Sequence, residues 1–210
     1  MSTRPYKLKK RAARQEETRK RIIEAAIHFH QTKGSTNTTV DEIAKRARVG
    51  RVTVYRHFAN EDDLFLACTG TYLARNPLPD PEAWRSIEDP GERLRAGISE
   101  SYAYHQANEA IFTNAMAEVR DHWTMVPYFE HWAAAAEVLL APFKARGRRK
   151  DQLRAGIALA LSFDTWRTLV RQQELSQEQA VEVAMRLADE SPAPSGASRP
   201  PSRSSRAARR

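Results

Sequence analysis

Apolar residues recur at helical spacing along most of the chain, and no stretch keeps the two-residue alternation of a strand. Ile22, Ala26 and Phe29 line one face of a first helix predicted over residues 17–33, with Ile23 and Ile27 beside them and Gly34 as its stop. Val40, Ile43, Ala44 and Ala47 mark a second helix. It opens at Thr39, which with Glu42 has the S/T-x-x-E spacing of a capping box. A turn falls at Arg48-Val49-Gly50, and a third helix follows from about Arg51, with Val49, Val52 or Val54, and Phe58 available to the core. Asn60 caps a fourth helix carrying Leu64, Phe65, Cys68, Tyr72 and Leu73, which Pro77, Pro79 and Pro81 break. Further helices are predicted at residues 92–107 (Leu94, Ile98, Tyr102, His105), around Ile111–Val119, at 124–146 with Gly147 as the stop, and at 151–171. A last helix is capped by Ser176 and carries Ala180, Val183, Ala184 and Leu187. The run Arg148-Arg149-Lys150 falls in a loop. The fold class is therefore all-α.

Two short helices over a three- or four-residue turn make a helix-turn-helix, whose second helix enters the DNA major groove. The residues of that second helix suit the role. Arg51 and Arg56 can donate to guanine O6 and N7, and Thr53 can meet a thymine methyl or a base edge. Tyr55 and His57 can reach phosphate oxygens. Thr39, Gly50 and Val52 complete the expected interface.

From residue 21 to about 67 the chain resembles the TetR/AcrR transcriptional regulators. The resemblance is carried by Ile22-Ile23-Glu24-Ala25-Ala26, Phe29, Gly34, Thr39-Val40-Asp41-Glu42-Ile43-Ala44, Val49, Thr53-Val54-Tyr55-Arg56-His57-Phe58 and Leu64, with Thr165-Trp166-Arg167-Thr168-Leu169 similar to the penultimate helix of many members. Three positions depart from the pattern. Arg48 replaces the usual turn glycine, Gly50 replaces the usual Ser cap, and Glu61 replaces a common phosphate-binding Lys. The resemblance implies an N-terminal three-helix DNA-binding domain followed by a helical bundle that binds an effector and dimerises. It also implies a small-molecule site in that bundle. The side chains Tyr102, His105, Phe112, Met116, Phe129, Trp132, Phe163 and Trp166 are the expected lining, with ordinary core packing as the alternative.

Charge is divided along the chain. Residues 1–60 hold 15 Lys/Arg and 5 Asp/Glu, residues 61–190 hold 14 and 21, and residues 191–210 hold 5 and none. A basic head on an acidic body points to nucleic acid at one end. The basic segment 1–15 reads as unstructured, either an arm that follows phosphates or enters a minor groove or a solubilising tail, and the Pro/Ser/Ala/Arg-rich segment 191–210 as a disordered tail. One cysteine, Cys68, excludes an internal disulfide. No run is long and apolar enough for a membrane span, and the N-terminus lacks the apolar core of a secretory signal, so a cytoplasmic protein is expected. No phosphate loop, Cys pair or HExxH pattern is present. Glu118, Asp121, His122 and His131 are spaced too irregularly for converging metal ligands and read as surface charge. Ser101, His105 and Asp164 lack a nucleophile-elbow sequence.

The expectation is a DNA-binding regulator, not an enzyme, with no cofactor. Residues 1–60 are the head, 61–190 the effector and dimer body, and 191–210 the tail. The fourth helix is the one link between head and body. The segment from Ala155 to Phe163 is apolar almost all round, which calls for a partner on its second side and hence a homodimer. The partners expected are a palindromic operator in double-stranded DNA and an apolar or aromatic effector that releases a repressor from it. An activator or protein-responsive regulator of the same fold, and an enzyme built on the helical body, are the alternatives.

Overall fold

Gly34, at φ +86°, ends the first helix, α1 (Arg4–Lys33), and turns the chain toward α2 (Val40–Ala47), α3 (Arg51–His57) and α4 (Glu61–Arg75). A 3-10 turn at Pro81–Ser86 leads into α5 (Pro90–Ala107) and α6 (Glu109–Glu118). A second such turn, Trp123–Met125, precedes α7 (Val126–Leu140), and a third, Ala141–Phe143, precedes α8 (Gly147–Leu161). The short α9 (Phe163–Arg167) runs into a π-helical turn, Thr168–Gln172, and α10 (Gln177–Asp189) closes the fold. The computed structural model describes residues 4–189. No strand occurs among them, as the all-α pattern requires. The expected tail at 191–210 lies outside the described residues.

Three boundaries differ from those expected. The basic segment before residue 17 is helical from Arg4 and continuous with α1. Its Lys, Leu, Ala, Arg and Gln residues are good helix formers, and Pro5 is tolerated in the first turn. Lys9, Lys10, Arg11 and Arg14 stand exposed on this extension. The seventh helix stops at Leu140, not Arg146. Pro142 cannot supply an amide to continue it, and Lys144 turns left-handed at φ 49°. Gly147 therefore opens α8, and Arg148-Arg149-Lys150 lie in its first turn instead of a loop. The helix expected over 151–171 breaks at Ser162, whose backbone is extended (φ −73°, ψ 146°) and whose Oγ accepts a hydrogen bond from the Thr165 amide at 3.1 Å. A side chain that caps a new helix competes with continuation of the old one.

Two apolar cores result. One joins Ile22, Ile23, Ala26 and Ile27 of α1 to Val40, Ile43 and Ala47 of α2, Val54 of α3, and Leu64, Cys68 and Tyr72 of α4. The other gathers Trp84, Leu94, Ile98, Tyr102, Phe112, Trp132, Leu139, Ile157, Phe163 and Trp166, with Ala180, Val181, Ala184 and Ala188 of α10. In it α8 and α10 cross closely at Gly156. A Cβ on Gly156 would lie 2.7 Å from the Leu187 carbonyl oxygen, so the two backbones approach only because that position has none. Ile111 of α6 packs against both cores.

Candidate nucleic-acid interface and ligand cavity

The helix-turn-helix is fixed at each corner by a local device. At the start of α2 the Thr39 Oγ1 accepts from the Glu42 amide at 3.3 Å, and Glu42 Oε2 accepts from the Thr39 amide at 3.0 Å, which completes the capping box. Lys33 Nζ sits 2.6 Å from the same carboxylate. Its hydrogen bond, followed by those from Thr39, holds the Glu42 carboxyl down to about 2. At the end of α2, Arg48 adopts the left-handed conformation (φ 57°, ψ 48°) that glycine occupies without strain. In return, the Val49 and Arg48 amides satisfy the carbonyls of Ala44 at 3.0 Å and Lys45 at 3.2 Å, the two bonds of a Schellman stop. Arg21 of α1 adds a third contact by donating to the Ala47 carbonyl at 3.1 Å. Gly50 caps α3 with extended backbone and no side-chain bond.

These devices aim α3. Val54 and Phe58 are buried in the first core, while Arg51, Val52, Tyr55 and Arg56 stand outward. Val52 is 66% exposed, so of the two valines it is Val54 that enters the core. Thr53 and His57 are half-buried on the flanks, and Thr39 and Gly50 are exposed beside them. All eight residues expected at a DNA surface thus lie on or next to one helix-turn-helix. The outward face holds two guanidiniums, a phenol and an apolar side chain, the groups that meet base edges and phosphates. Asp41 was absent from the expected set. It reaches Arg51 Nη1 at 3.0 Å, and the Arg51 guanidinium also lies 5.7 Å from the centre of the Tyr55 ring. The acid was visible in the sequence, but its distance from Arg51 depends on how α2 and α3 cross.

The eight residues expected to line a ligand site separate in the structure. Tyr102, His105 and Trp166 are fully buried in the second core. Nε2 of His105 donates to the Leu161 carbonyl at 2.9 Å, and burial lowers the imidazole's pKa to about 4. Met116, Phe129, Trp132 and Phe163 border a cavity of about 210 Å³ beside the Arg120–Asp164 ion pair, and Phe129 is 38% exposed there. Phe112 borders a different cavity, of about 240 Å³, bounded by α1, α4, α6 and the start of α7. Ile27 and His30 of α1, and Phe65, Cys68 and Leu73 of α4, form much of that wall. No pattern along the chain points to it, because its lining is brought together only when α1 and α4 pack against α6.

Helix α6 is a second connection to the head, so α4 is not the one link. Asn114 Nδ2 donates to the carbonyls of His30 at 2.9 Å and Gln31 at 3.1 Å, at the end of α1. Glu118 accepts from Ser35 Oγ at 3.1 Å and from the Thr36 amide at 2.9 Å, in the loop before α2. Expected as surface charge, Glu118 is instead a structural acceptor, and it lies so close over Gly34 that a Cβ there would be 1.9 Å from its Oε1. Among the described residues no group of three or more His, Cys, Asp or Glu is placed to hold a metal ion, and no helix is long and apolar enough to cross a membrane.

Residues 22–68 match the family model described as bacterial regulatory proteins, tetR family. Over 157 residues the chain is 26% identical to the HTH-type transcriptional regulator EthR of Mycolicibacterium smegmatis, which covers 71% of each chain. Over 50 residues it is 48% identical to the HTH-type transcriptional regulator SrpR of Pseudomonas putida, but that stretch spans only 24% of each. The solved structure of HlyIIR, a hemolysin II transcriptional regulator, superposes with a TM-score of 0.57 at 18% identity, over 80% of this chain and 97% of that one. At that identity the likeness concerns the fold alone.

Proposed function

We propose that the chain, whose residues 22–68 match the tetR family model, is a helix-turn-helix transcriptional regulator of that family and not an enzyme: a cytoplasmic repressor which binds a palindromic operator as a homodimer and leaves it when an apolar small molecule binds the helical body. Residues 1–60 serve as the DNA-binding head and residues 61–190 as the effector and dimer body, with α4 running between them.

The observation that carries this reading is the outward face of α3. Arg51, Val52, Tyr55 and Arg56 project from a helix whose other side is locked into the core by Val54 and Phe58. Rigid placement matters because base readout requires side chains to reach the groove floor in a fixed register. The basic extension of α1 adds Lys9, Lys10, Arg11 and Arg14 for phosphates. Dimerisation is supported by an apolar strip that the monomer leaves uncovered. Ala155, Ala158 and Leu159 of α8 and Leu187 of α10 are exposed. Two copies joined there would present two recognition helices, and a two-fold axis in the protein calls for one in the DNA.

The test is selection of duplexes from a random pool, followed by titration at several salt concentrations. The expected result is a palindrome whose half-sites lie ~34–36 Å apart, bound with a log–log salt slope that steepens by about 0.9 per neutralised phosphate. Enrichment of no sequence, with a shallow slope, would remove the reading.

A further inference from the structure

We propose that the effector occupies the cavity at the joint between head and body, that it is an uncharged and predominantly apolar molecule, and that it acts by lifting α6 from the loop between α1 and α2. This rests on the effector reading above and departs from the expected lining, of which only Phe112 borders this cavity.

The wall defines the ligand. The cavity, of about 240 Å³, is bordered by no Asp, Glu, Lys or Arg, and its surface is made by Ile27, Phe65, Leu73, Ile111, Phe112 and their neighbours. His30, the one basic side chain on the wall, is kept neutral near pH 7, because burial outweighs the opposing pull of Glu118 and lowers its pKa to about 4. Several polar wall groups already have partners. The Tyr72 hydroxyl donates to Asn108 Oδ1 at 2.6 Å, Asn114 holds the end of α1, and Ser35 donates to Glu118. A charged ligand would lose its hydration there and meet no counter-charge, whereas an apolar one gains by leaving water.

The same wall carries the signal. Ile111, Phe112, Asn114 and Ala115 of α6 border the cavity, and Asn114 also holds the end of α1. One turn further along, Glu118 grips the loop at Ser35 and Thr36, three residues before the Thr39 cap of α2. An occupant that displaces α6 must loosen these bonds, and the helix-turn-helix then loses the anchor at the start of α2. A ligand shifts an equilibrium only through a difference in affinity between its states. Here the difference is that the gripped state leaves less room.

The experiment uses the full chain, its selected operator and two fluorescent probes of similar shape, neutral N-phenyl-1-naphthylamine and its sulfonated, anionic relative 8-anilinonaphthalene-1-sulfonate. The neutral probe is expected to bind at least about tenfold more tightly, to weaken operator binding by about fivefold or more, and to slow modification of Cys68, the only cysteine, by methyl methanethiosulfonate. Ala115→Phe, which fills the cavity, should abolish neutral-probe binding. Trp132→Ala, in the neighbouring cavity, should leave it. Glu118→Gln should still bind the probe but respond to it less, because the grip is already weakened. If Ala115→Phe does not fold, protection of Cys68 in the natural sequence decides the location alone. Probe binding lost in Trp132→Ala, with Cys68 unprotected, would overturn this site while keeping the effector reading. Occupancy of the joint with unchanged operator affinity would overturn both. Equal response in Glu118→Gln would overturn the part given to α6.

Discussion

Asp41 on α2 and Arg51 at the start of α3 form an ion pair across the helix-turn-helix, with Oδ2 and Nη1 3.0 Å apart and both side chains more than half exposed. An exposed pair of this kind contributes little to folding, because water screens it. Its consequence is for recognition, since Asp41 holds one of the two outward arginines and brings a negative charge to a surface meant for phosphates. Asp41→Asn should therefore fold normally and bind random duplex DNA several-fold more tightly, with a smaller gap between operator and random sequence. Fluorescence anisotropy on the two duplexes measures both quantities. Unchanged affinity for random DNA would show that the carboxylate does not compete with the backbone.

Arg51 and Tyr55 should divide readout from anchoring. Arg51 leads α3, where an outward side chain can meet base edges, so Arg51→Ala should cost about 1–3 kcal/mol on the operator and relax preference at one position of each half-site. Tyr55, 38% exposed, carries a hydroxyl that can donate to a phosphate oxygen, so Tyr55→Ala should weaken operator and random DNA alike. Competition binding against single-base operator variants separates the two. An equal loss on every sequence for both variants would contradict these roles.

Arg48 stores strain in the turn. A residue with a Cβ costs roughly 1–2 kcal/mol in the left-handed conformation, and Arg48 holds φ 57°. Glycine removes that cost but brings a more flexible unfolded chain, which offsets part of the gain. Arg48→Gly should raise stability by about 0.5–1 kcal/mol, or roughly 1–4 °C in melting midpoint for a chain of this size. Calorimetry would detect it, and a fall in midpoint would mean that the arginine makes a compensating contact.

The devices that build the helix-turn-helix were legible because they are local. Thr39 and Glu42, three residues apart, announce a cap that the structure forms, and Asn60 caps α4 in the same way. Arg48 stands where the resemblance puts a glycine, and it is the residue that turns left-handed. The break at Ser162 was a missed local signal, since Ser162 and Thr165 have the spacing of a cap but sit inside an apolar stretch that periodicity extends through. The arm before residue 17 was misread because its charge pointed to solvent while its helix propensity pointed to α1. The joint cavity is different in kind. Its walls lie between positions 27 and 128, and no period or motif encodes which faces of α1, α4 and α6 meet. The hold of Glu118 on residues 35 and 36 spans more than eighty positions and was equally hidden.

Acid should destabilise the body through His105. The imidazole is fully buried among Tyr102, Tyr104, Trp132, Phe163 and Trp166. Burial lowers its pKa from 6.5 to about 4, against the smaller upward pulls of the Leu161 carbonyl and Asp164. With the folded value below the unfolded one, the unfolded chain takes up the proton first. The contribution is full above pH 6.5 and is lost as pH falls toward 4, an interval equivalent to roughly 3 kcal/mol. Urea unfolding at pH 7 and pH 5 should show this loss. In His105→Gln the protein should be weaker at pH 7 but lose less on acidification. Equal losses in the two proteins would place the acid sensitivity elsewhere.

The apolar strip on α8 should decide the oligomeric state. Leu159 is 53% exposed and lies beside Ala155 and Ala158 on a helix whose opposite face, Leu153, Ile157, Ala160 and Leu161, is buried in the second core. Leu187 of α10, 47% exposed, is a second large apolar side chain left open to solvent. A monomer gains nothing from apolar groups held in water, whereas a two-fold partner removes them from it and meets itself with the same strip. Leu159→Glu would place two carboxylates near each other across such an axis, at a position that contributes nothing to the monomer's own core. The variant should therefore keep its helical spectrum while sedimenting as a monomer at micromolar concentration. Because a dimer binds both half-sites with one of them already anchored, loss of the partner should weaken binding to the full palindrome by about 10²-fold or more, with binding to a single half-site nearly unchanged. If Leu159→Glu remains a dimer, the partner lies on another face. If it becomes a monomer yet holds the palindrome as tightly as before, the two half-sites are not read by one dimer.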